Sequence, residues 1–357
     1  MSADSIFRQP LIMAPMSRGT DLPFRRLLTE YGATVSLGEM AYAHKVARNG
    51  SSERVLLRRH PDEKVFGAQL AGKLPHVMAE AAIIAEEQGA DFVDVNLGCP
   101  IDDATRRGFG AALMKRQKRV AEIVAAMKAA VSIPISIKMR LGWSAEKPTF
   151  LKIAKAAEDA GVDAIALHGR SRAQRYRRAA DWDAVGELAA SVSVPVIGNG
   201  DIFHWTDVSR RIEQTGCASV MIGRWGLARP WIFRELQEQR EIEFYPEERL
   251  AVLRRYVDLC RELFRDDEKG RRQTRRFLGF HQDFFARYRR NASADAVNAD
   301  DQRNWGDAPA DPLEEWLCRV DLPGVEALCD WLVDGEERTP PPLDQDSRRA
   351  VKTPAYG

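Results

Sequence analysis

No stretch of this sequence approaches the roughly 20 consecutive apolar residues that cross a bilayer, so no membrane-embedded role is expected. Met1 to Pro10 lack a basic segment followed by an apolar run, which argues against a secretory leader. Cysteine is sparse. Cys99, Cys217, Cys260, Cys318 and Cys329 are scattered, no CxxC pair occurs, and the odd total argues against a disulfide framework. A reducing, cytoplasmic setting is expected, with no obligate protein partner implied. A dominant charge sign is missing too. The net charge of +1 means that bulk composition does not announce a polyanionic partner. No HxH, HExxH or CxxC spacing is present, so no catalytic metal is expected. No GxGxxG follows the first apolar run, which counts against an open dinucleotide-binding sheet.

What is present is alternation. Short apolar runs at Leu11–Ala14, Thr34–Leu37, Lys64–Gln69, Phe92–Asn96, Ile133–Lys138, Ala164–His168, Val194–Gly198 and Ser219–Gly223 read as parallel strands covered on both faces. Amphipathic segments such as His76–Gln88, Val120–Ala130, Phe150–Ala160 and Thr206–Thr215 separate them. Such repetition predicts a (β/α)8 TIM barrel with its site at the strand C-termini. Beyond it the character changes. Arg249 to Arg290 carries 13 Lys/Arg against 6 Asp/Glu with aromatics interleaved, and Ser293 to Asp346 carries 15 Asp/Glu against 3 Lys/Arg. The expected organisation is a barrel over 1–240, a smaller all-helical domain over 241–335 and a tail over 336–357.

The strand Phe92–Asn96 ends abruptly at Gly98-Cys99-Pro100, because Pro100 bars continuation of the strand. Cys99 is thereby presented on a loop at a strand tip, beside Asn96. A buried packing thiol is the bland alternative. The other strand ends deliver Pro15-Met16-Ser17, Gln69, Lys138 and Arg140, His168 and Arg170, Asn199-Gly200-Asp201, and Gly223-Arg224. Each alone has an ordinary structural explanation. Together, amide, thiol, ammonium, imidazole and guanidinium at one rim fit a flavin mononucleotide (FMN) site. The Gly200 and Gly223 amides suit phosphate oxygens, and Arg224 suits a bidentate phosphate clamp. Gln69 suits the edge of a flavin ring. Lys138 suits the side where reduced flavin gathers negative charge.

In order along the chain, Ala14-Pro15-Met16, Thr20-Asp21, Phe24-Arg25, Asn96-x-Gly98-Cys99-Pro100, Lys138-x-Arg140, His168-Gly169-Arg170, Asn199-Gly200-Asp201 and Gly223-Arg224 resemble the motifs of the tRNA-dihydrouridine synthases. Further runs resemble the eukaryotic-type, dihydrouridine synthase 3-like branch, which acts on the tRNA variable loop. They are Gly98-Cys-Pro-Ile-Asp102, His168 to Tyr176, Ala180-Asp-Trp182, Lys269–Leu278 and Lys352-Thr-Pro-Ala-Tyr356. The zinc fingers of that branch are not in this sequence, and the usual Pro-Met-Ala-Gly reads Pro15-Met-Ser-Arg18. The resemblance implies reduction of a uridine C5=C6 bond in tRNA, with NADPH reducing bound FMN and Cys99 donating a proton. The implied cofactor set is Pro15, Met16, Ser17, Gln69, Asn96, Lys138, His168, Asn199, Gly200, Asp201, Gly223 and Arg224.

A base must leave its stack to reach a barrel mouth, so phosphate contacts elsewhere must offset that cost. Candidates are Arg140, Arg170, Arg172, Arg175, Tyr176, Arg177 and Arg178, with Arg275 and Arg276 in the basic helical segment, read as the other half of a groove. Solvated charge is their bland alternative. Two other functions remain open on the sequence. One is an FMN-dependent reductase of a free pyrimidine or a dihydroorotate-like substrate. The other is a non-catalytic RNA-binding or chaperone protein.

Overall fold

The computed structural model describes residues 2–288 and 311–336. Of these, 2–22 and 33–223 form one compact unit, and 23–32, 224–288 and 311–336 form a second. Residues 293–310 of the acidic stretch, the tail beyond 336 and the Lys352–Tyr356 similarity lie outside the described residues.

The first unit holds nine strands: β1 (Leu11–Met13), β2 (Val35–Leu37), β3 (Ala41–Tyr42), β4 (Val65–Ala71), β5 (Phe92–Leu97), β6 (Ile135–Arg140), β7 (Ala164–His168), β8 (Val196–Asn199) and β9 (Ser219–Ile222). Every pairing is parallel. Eight strands close on themselves through β1–β9 and β2–β4, and β3 extends the ladder at the end of β4. Carrying the registers once round from Ile12 returns to position 4 of the same stretch, a displacement of eight residues. Eight strands with a shear of eight define the (β/α)8 barrel. Helices Pro75–Glu87, Gln117–Ala130, Phe150–Asp159, Trp182–Ser191 and Thr206–Thr215 alternate with the strands.

Two strands start two residues later than the apolar pattern predicts, β6 at Ile135 and β8 at Val196. Each follows a proline, which offers a carbonyl to the ladder but no N–H. The Pro134 and Pro195 carbonyls accept from Val93 and Ile165 at 3.0 Å each.

The floor of the barrel is apolar. Ile12, Val35, Val65, Phe92, Ala164, Ile197 and Met221 form one cluster with Ile6 and Phe7 of the short helix Ala3–Phe7. Phe7 meets Phe92 edge-on, ring centroids 5.0 Å apart. This helix seals the N-terminal end of the barrel, so polar groups are left to the opposite end.

In the second unit, helices Pro246–Phe264 and Glu268–Phe285 are joined by Pro312–Leu317 and Leu322–Asp334. Phe24 stacks on His281 at 4.3 Å and meets Tyr256 edge-on at 6.0 Å, which accounts for 23–32 belonging with residues beyond 224. Trp231 stacks on Phe244 at 4.1 Å. The Gln282 amide donates to the Leu317 and Arg319 carbonyls. Among the described residues, no helix is long and apolar enough to cross a membrane.

Truncating the barrel plug tests its place in the core. Phe7→Ala is expected to lower unfolding free energy by about 3–5 kcal/mol, the usual cost of deleting a buried aromatic ring. Denaturant titration measures it, and a loss below about 1 kcal/mol would remove the helix from the core.

Candidate active site

Strand alternation decides what the barrel end contains. Gln69 (β4), Asp94 and Asn96 (β5), Ser136 and Lys138 (β6), His168 (β7) and Asn199 (β8) lie an even number of residues beyond inward-facing core residues of the same strands, or share their register. They therefore stack above the apolar floor, and all but Lys138, which is half-buried, are buried.

A continuous hydrogen-bond chain runs through this layer. Ser136 Oγ donates to Asp94 Oδ1 and Gln69 Nε2 donates to Asp94 Oδ2, both at 2.8 Å. Asn96 Nδ2 donates to Gln69 Oε1 at 2.7 Å. Asn96 Oδ1 in turn accepts the backbone N–H groups of Gly98 (3.2 Å) and Cys99 (2.8 Å). Gly110, at φ +55°, folds the following segment back over the loop. A Cβ there would lie 2.7 Å from the Cys99 carbonyl oxygen, and Ala111 N–H donates to that same oxygen at 3.1 Å. The half-buried Cys99 packs against the cluster of Ala71, Ala104 and Phe109.

Desolvation governs the charges here. Burial pushes the Asp94 carboxyl up to about 6, against the lowering pull of its Gln69 and Ser136 hydrogen bonds and the Lys138 charge. Burial, then the nearby Arg140 charge, brings the Lys138 ammonium down to about 8. Burial raises the Cys99 thiol, with the Ile101 backbone, Arg140 and Lys138 opposing, so the sulfur keeps its proton across the neutral range. Lys138 Nζ donates to Asn199 Oδ1 at 2.9 Å. No carboxylate lies within ion-pair distance of it among the described residues, so part of its hydrogen-bonding capacity is left for a ligand.

Not every predicted site residue faces this space in the expected way. Arg140 is buried, donating to the carbonyls of Gly98 (2.9 Å), Ser171 (3.3 Å) and Arg175 (3.0 Å). Arg170 is fully buried, bonded to the Arg178 carbonyl and to both Asp201 oxygens at 2.8 and 2.7 Å. Asp201, at φ +51°, also accepts from Ala180 N–H at 2.6 Å. All three thereby hold the loop after β7 in place. Arg275 is similarly paired with Asp330 (2.7 Å) and Asp334 in the second unit. Arg177, Arg178 and Arg276 are exposed, and Arg172, Arg175 and Tyr176 half-buried. Arg172 reaches Asp102 at 2.5 Å, and its guanidinium and Lys115 Nζ lie 4.6 and 3.4 Å from the Trp143 ring centroid.

Pro15 and Met16 are half-buried and Ser17 is exposed at the end of β1. Gly200 has φ +127°, and a Cβ there would meet Ala180 at 2.6 Å and His168 at 3.3 Å. Gly223 has only ordinary contacts around it, and Arg224 opens the helix Arg224–Ala228 of the second unit. Asp94, Ser136 and Trp143 were not singled out from the sequence. Asp94 had a signal: a carboxylate inside an otherwise apolar strand, two residues from Asn96 and so on the same face. No His/Cys/Asp/Glu cluster suited to a metal occurs among the described residues.

Asp201→Ala is expected to cost about 3–5 kcal/mol of stability, because it strands the fully buried Arg170 guanidinium without its anion. Denaturant unfolding and limited proteolysis within 170–181 measure it, and wild-type behaviour in both would show that Asp201 is not the anchor.

The site now has a family context. The model of the family described as "Dihydrouridine synthase (Dus)" matches residues 12–308. A Homo sapiens protein named tRNA-dihydrouridine(47) synthase NAD(P)(+)-like is 38% identical over 283 residues, covering 79% of this chain and 43% of its own length. The Coprinopsis cinerea tRNA-dihydrouridine(47) synthase is 39% identical over 281 residues, covering 74% of this chain and 42% of its own. The chain thus spans less than half the length of these relatives. Among solved structures, histamine dehydrogenase from Rhizobium sp. 4-9 aligns with TM-score 0.51 at 14% identity over 72% of this chain and 51% of that one, a likeness of fold. With the family match spanning the barrel and running into the helices beyond it, this chain belongs to the dihydrouridine synthase family.

Proposed function

We propose that this protein reduces the C5=C6 bond of a uridine in tRNA to dihydrouridine, using NADPH through bound FMN, with Cys99 as proton donor. The observation that carries the reading is the Cys99 loop. A half-buried thiol, kept protonated by burial, stands at a strand tip, its backbone N–H held by Asn96.

The residues present fit a flavin. The donor set of the barrel end includes an ammonium with no carboxylate in contact among the described residues, amides of Gln69 and Asn199, and the His168 imidazole. A Cβ at Gly200 would strike Ala180 at 2.6 Å, so the chain needs glycine where it passes His168. Lys138, Gln69, Asn199 and His168 would hold the ring, and Gly200 and Gly223 the phosphate, with Pro15, Met16 and Ser17 at the same rim. Arg224 is proposed as the phosphate clamp from its place in the sequence. A reduced flavin held by these residues would supply the hydride chemistry needed at C6 of the uracil.

Cys99 supplies the balancing proton to C5. A thiol with a raised pKa is a competent acid at neutral pH and needs no activating base, unlike a cysteine nucleophile. The Lys138 ammonium stabilises negative charge nearby. Its lowered affinity for its proton means that this help weakens as pH rises through about 8. The barrel is proposed to carry the chemistry and the helical unit to contact tRNA, in the cytoplasm. Arg172, Arg175, Tyr176, Arg177, Arg178 and Arg276 are the proposed contacts. The uridine is proposed to be the one at the position that the relatives' names carry, 47.

Cys99→Ala is expected to keep FMN and NADPH oxidation while dihydrouridine in tRNA falls by about 100-fold or more, within the range of a lost general acid. Mass spectrometry of the RNA reads it, and undiminished dihydrouridine would remove Cys99 from the mechanism. Activity of the unaltered protein should decline on the alkaline side, as Lys138 and then Cys99 lose their protons. Binding of tRNA should weaken steeply between about 50 and 200 mM salt. Free uridine reacting as well as tRNA would overturn the assignment of substrate.

A further inference from the structure

We propose that Asp94 is a positioning residue whose carboxylate fixes the direction of two side-chain amides, Gln69 and Asn96, and through them the place of Cys99. This rests on reading Cys99 as the proton donor.

A primary amide has two ends of nearly equal shape, one accepting and one donating. A chain of two amides can therefore run in either direction unless its ends decide. Here both ends decide. At the top, Gly98 and Cys99 present N–H groups, which demand the oxygen of Asn96. At the bottom stands a carboxylate that, when ionised, has nothing to donate, so Gln69 must present its NH2 group to it. Asn96 Nδ2 to Gln69 Oε1 is the link that satisfies both. Every donor from the Cys99 loop downward points toward Asp94.

Reversal would place Gln69 Oε1 against Asp94 Oδ2 and turn Asn96 Oδ1 away from the loop. The Gly98 and Cys99 N–H groups would then lose their acceptor, and the thiol its anchor. The groups facing Asp94 are Gln69 from β4 and Ser136 and Lys138 from β6. Ser136 is a hydroxyl and adapts to either direction, so it does not decide the orientation. The carboxylate does.

Transposing the charge tests this. Asp94→Asn removes the deciding anion and leaves Gln69 free to flip. Asn96→Asp still accepts from the loop, but places a second carboxylate on Gln69 with one NH2 group to serve both. In the double variant the chain runs the other way with every group satisfied. The amide introduced at position 94 donates to Gln69, and Gln69 donates to the carboxylate introduced at position 96. That carboxylate accepts from Gly98 and Cys99. The readout is the rate of Cys99 alkylation by iodoacetamide, followed by mass spectrometry of its peptide. A pH series separates thiol acidity from exposure, and circular dichroism checks the fold.

Asp94→Asn should react about tenfold faster than wild type, equivalent to the loss of one hydrogen bond of about 1.4 kcal/mol, and Asn96→Asp should also react faster, as repulsion between its carboxylate and Gln69 Oε1 displaces it. The double variant should return to within about twofold of wild type. Single variants that react at the wild-type rate overturn the proposal. So does a double variant that reacts like Asp94→Asn, which would mean that only the charge at 94 matters, or one that fails to fold. Neither RNA nor nicotinamide enters the measurement. A wild-type protein inactive on tRNA would therefore sink the proposed function and leave the alkylation pattern to be judged separately.

Discussion

The rest of the structure depends on a carboxylate held inside a barrel. Asp94 sits on the strand that carries Phe92 in the floor and Asn96 under the loop, so one strand spans apolar core, buried charge and site. Moving its pKa from 3.8 to about 6 costs the fold about 3 kcal/mol at neutral pH. The sign is that of a carboxyl whose folded value lies above its unfolded one. The penalty is fully present above about 6 and is relieved as pH falls toward 4. That is a substantial fraction of a typical domain's stability. A residue of similar volume without charge would avoid it, so stability alone does not account for a carboxylate here. The amide orientation supplies a reason.

Desolvation also explains why three neighbouring groups shift as they do. The environment that raises Asp94 and Cys99 lowers Lys138, because each shift disfavours the charged form. A thiol in water beside two cations would lose its proton more readily. Here burial outweighs Lys138 and Arg140 and leaves an acid. The cations are not idle, since one of them carries the structural load. Arg140 ties the Gly98 carbonyl to those of Ser171 and Arg175, so the loop bearing the thiol and the arginine-rich loop are fastened to one guanidinium.

The barrel was legible because parallel strands read as short apolar runs between amphipathic helices, and the rim because polar residues follow those runs directly. The eight-fold repetition announced closure, but not the registers that achieve it. These link strands far apart in sequence, and nothing in Thr34–Leu37 or Lys64–Gln69 announces that β2 pairs with β4. Asp94 was visible as a residue but lay inside a strand taken as core, whose inward side becomes polar only where the floor ends. The arginines misled for a different reason. Composition gives their number, and the exposed and buried ones look alike in sequence. Which of them satisfy loop carbonyls is settled only by the path of the backbone.

That path also decides how the loop after β7 presents its charges. Arg175 and Arg178 adopt φ of +53° and +62°, conformations that cost an L residue about 1–3 kcal/mol unless the surroundings enforce them. Buried Arg170, bonded to the Arg178 carbonyl, and Arg140, bonded to the Arg175 carbonyl, grip the loop at those two positions. Arg140 and Arg170 are thus consumed in bending the segment, while Arg177 and Arg178 stay exposed and Arg172 is paired with Asp102. A loop left to relax would spread its charges and lose more conformational entropy on meeting a phosphate backbone. A loop bent in advance has already met that cost through folding. Counting arginines therefore overstates the number left at the surface, and those that remain exposed sit on a segment bent in advance.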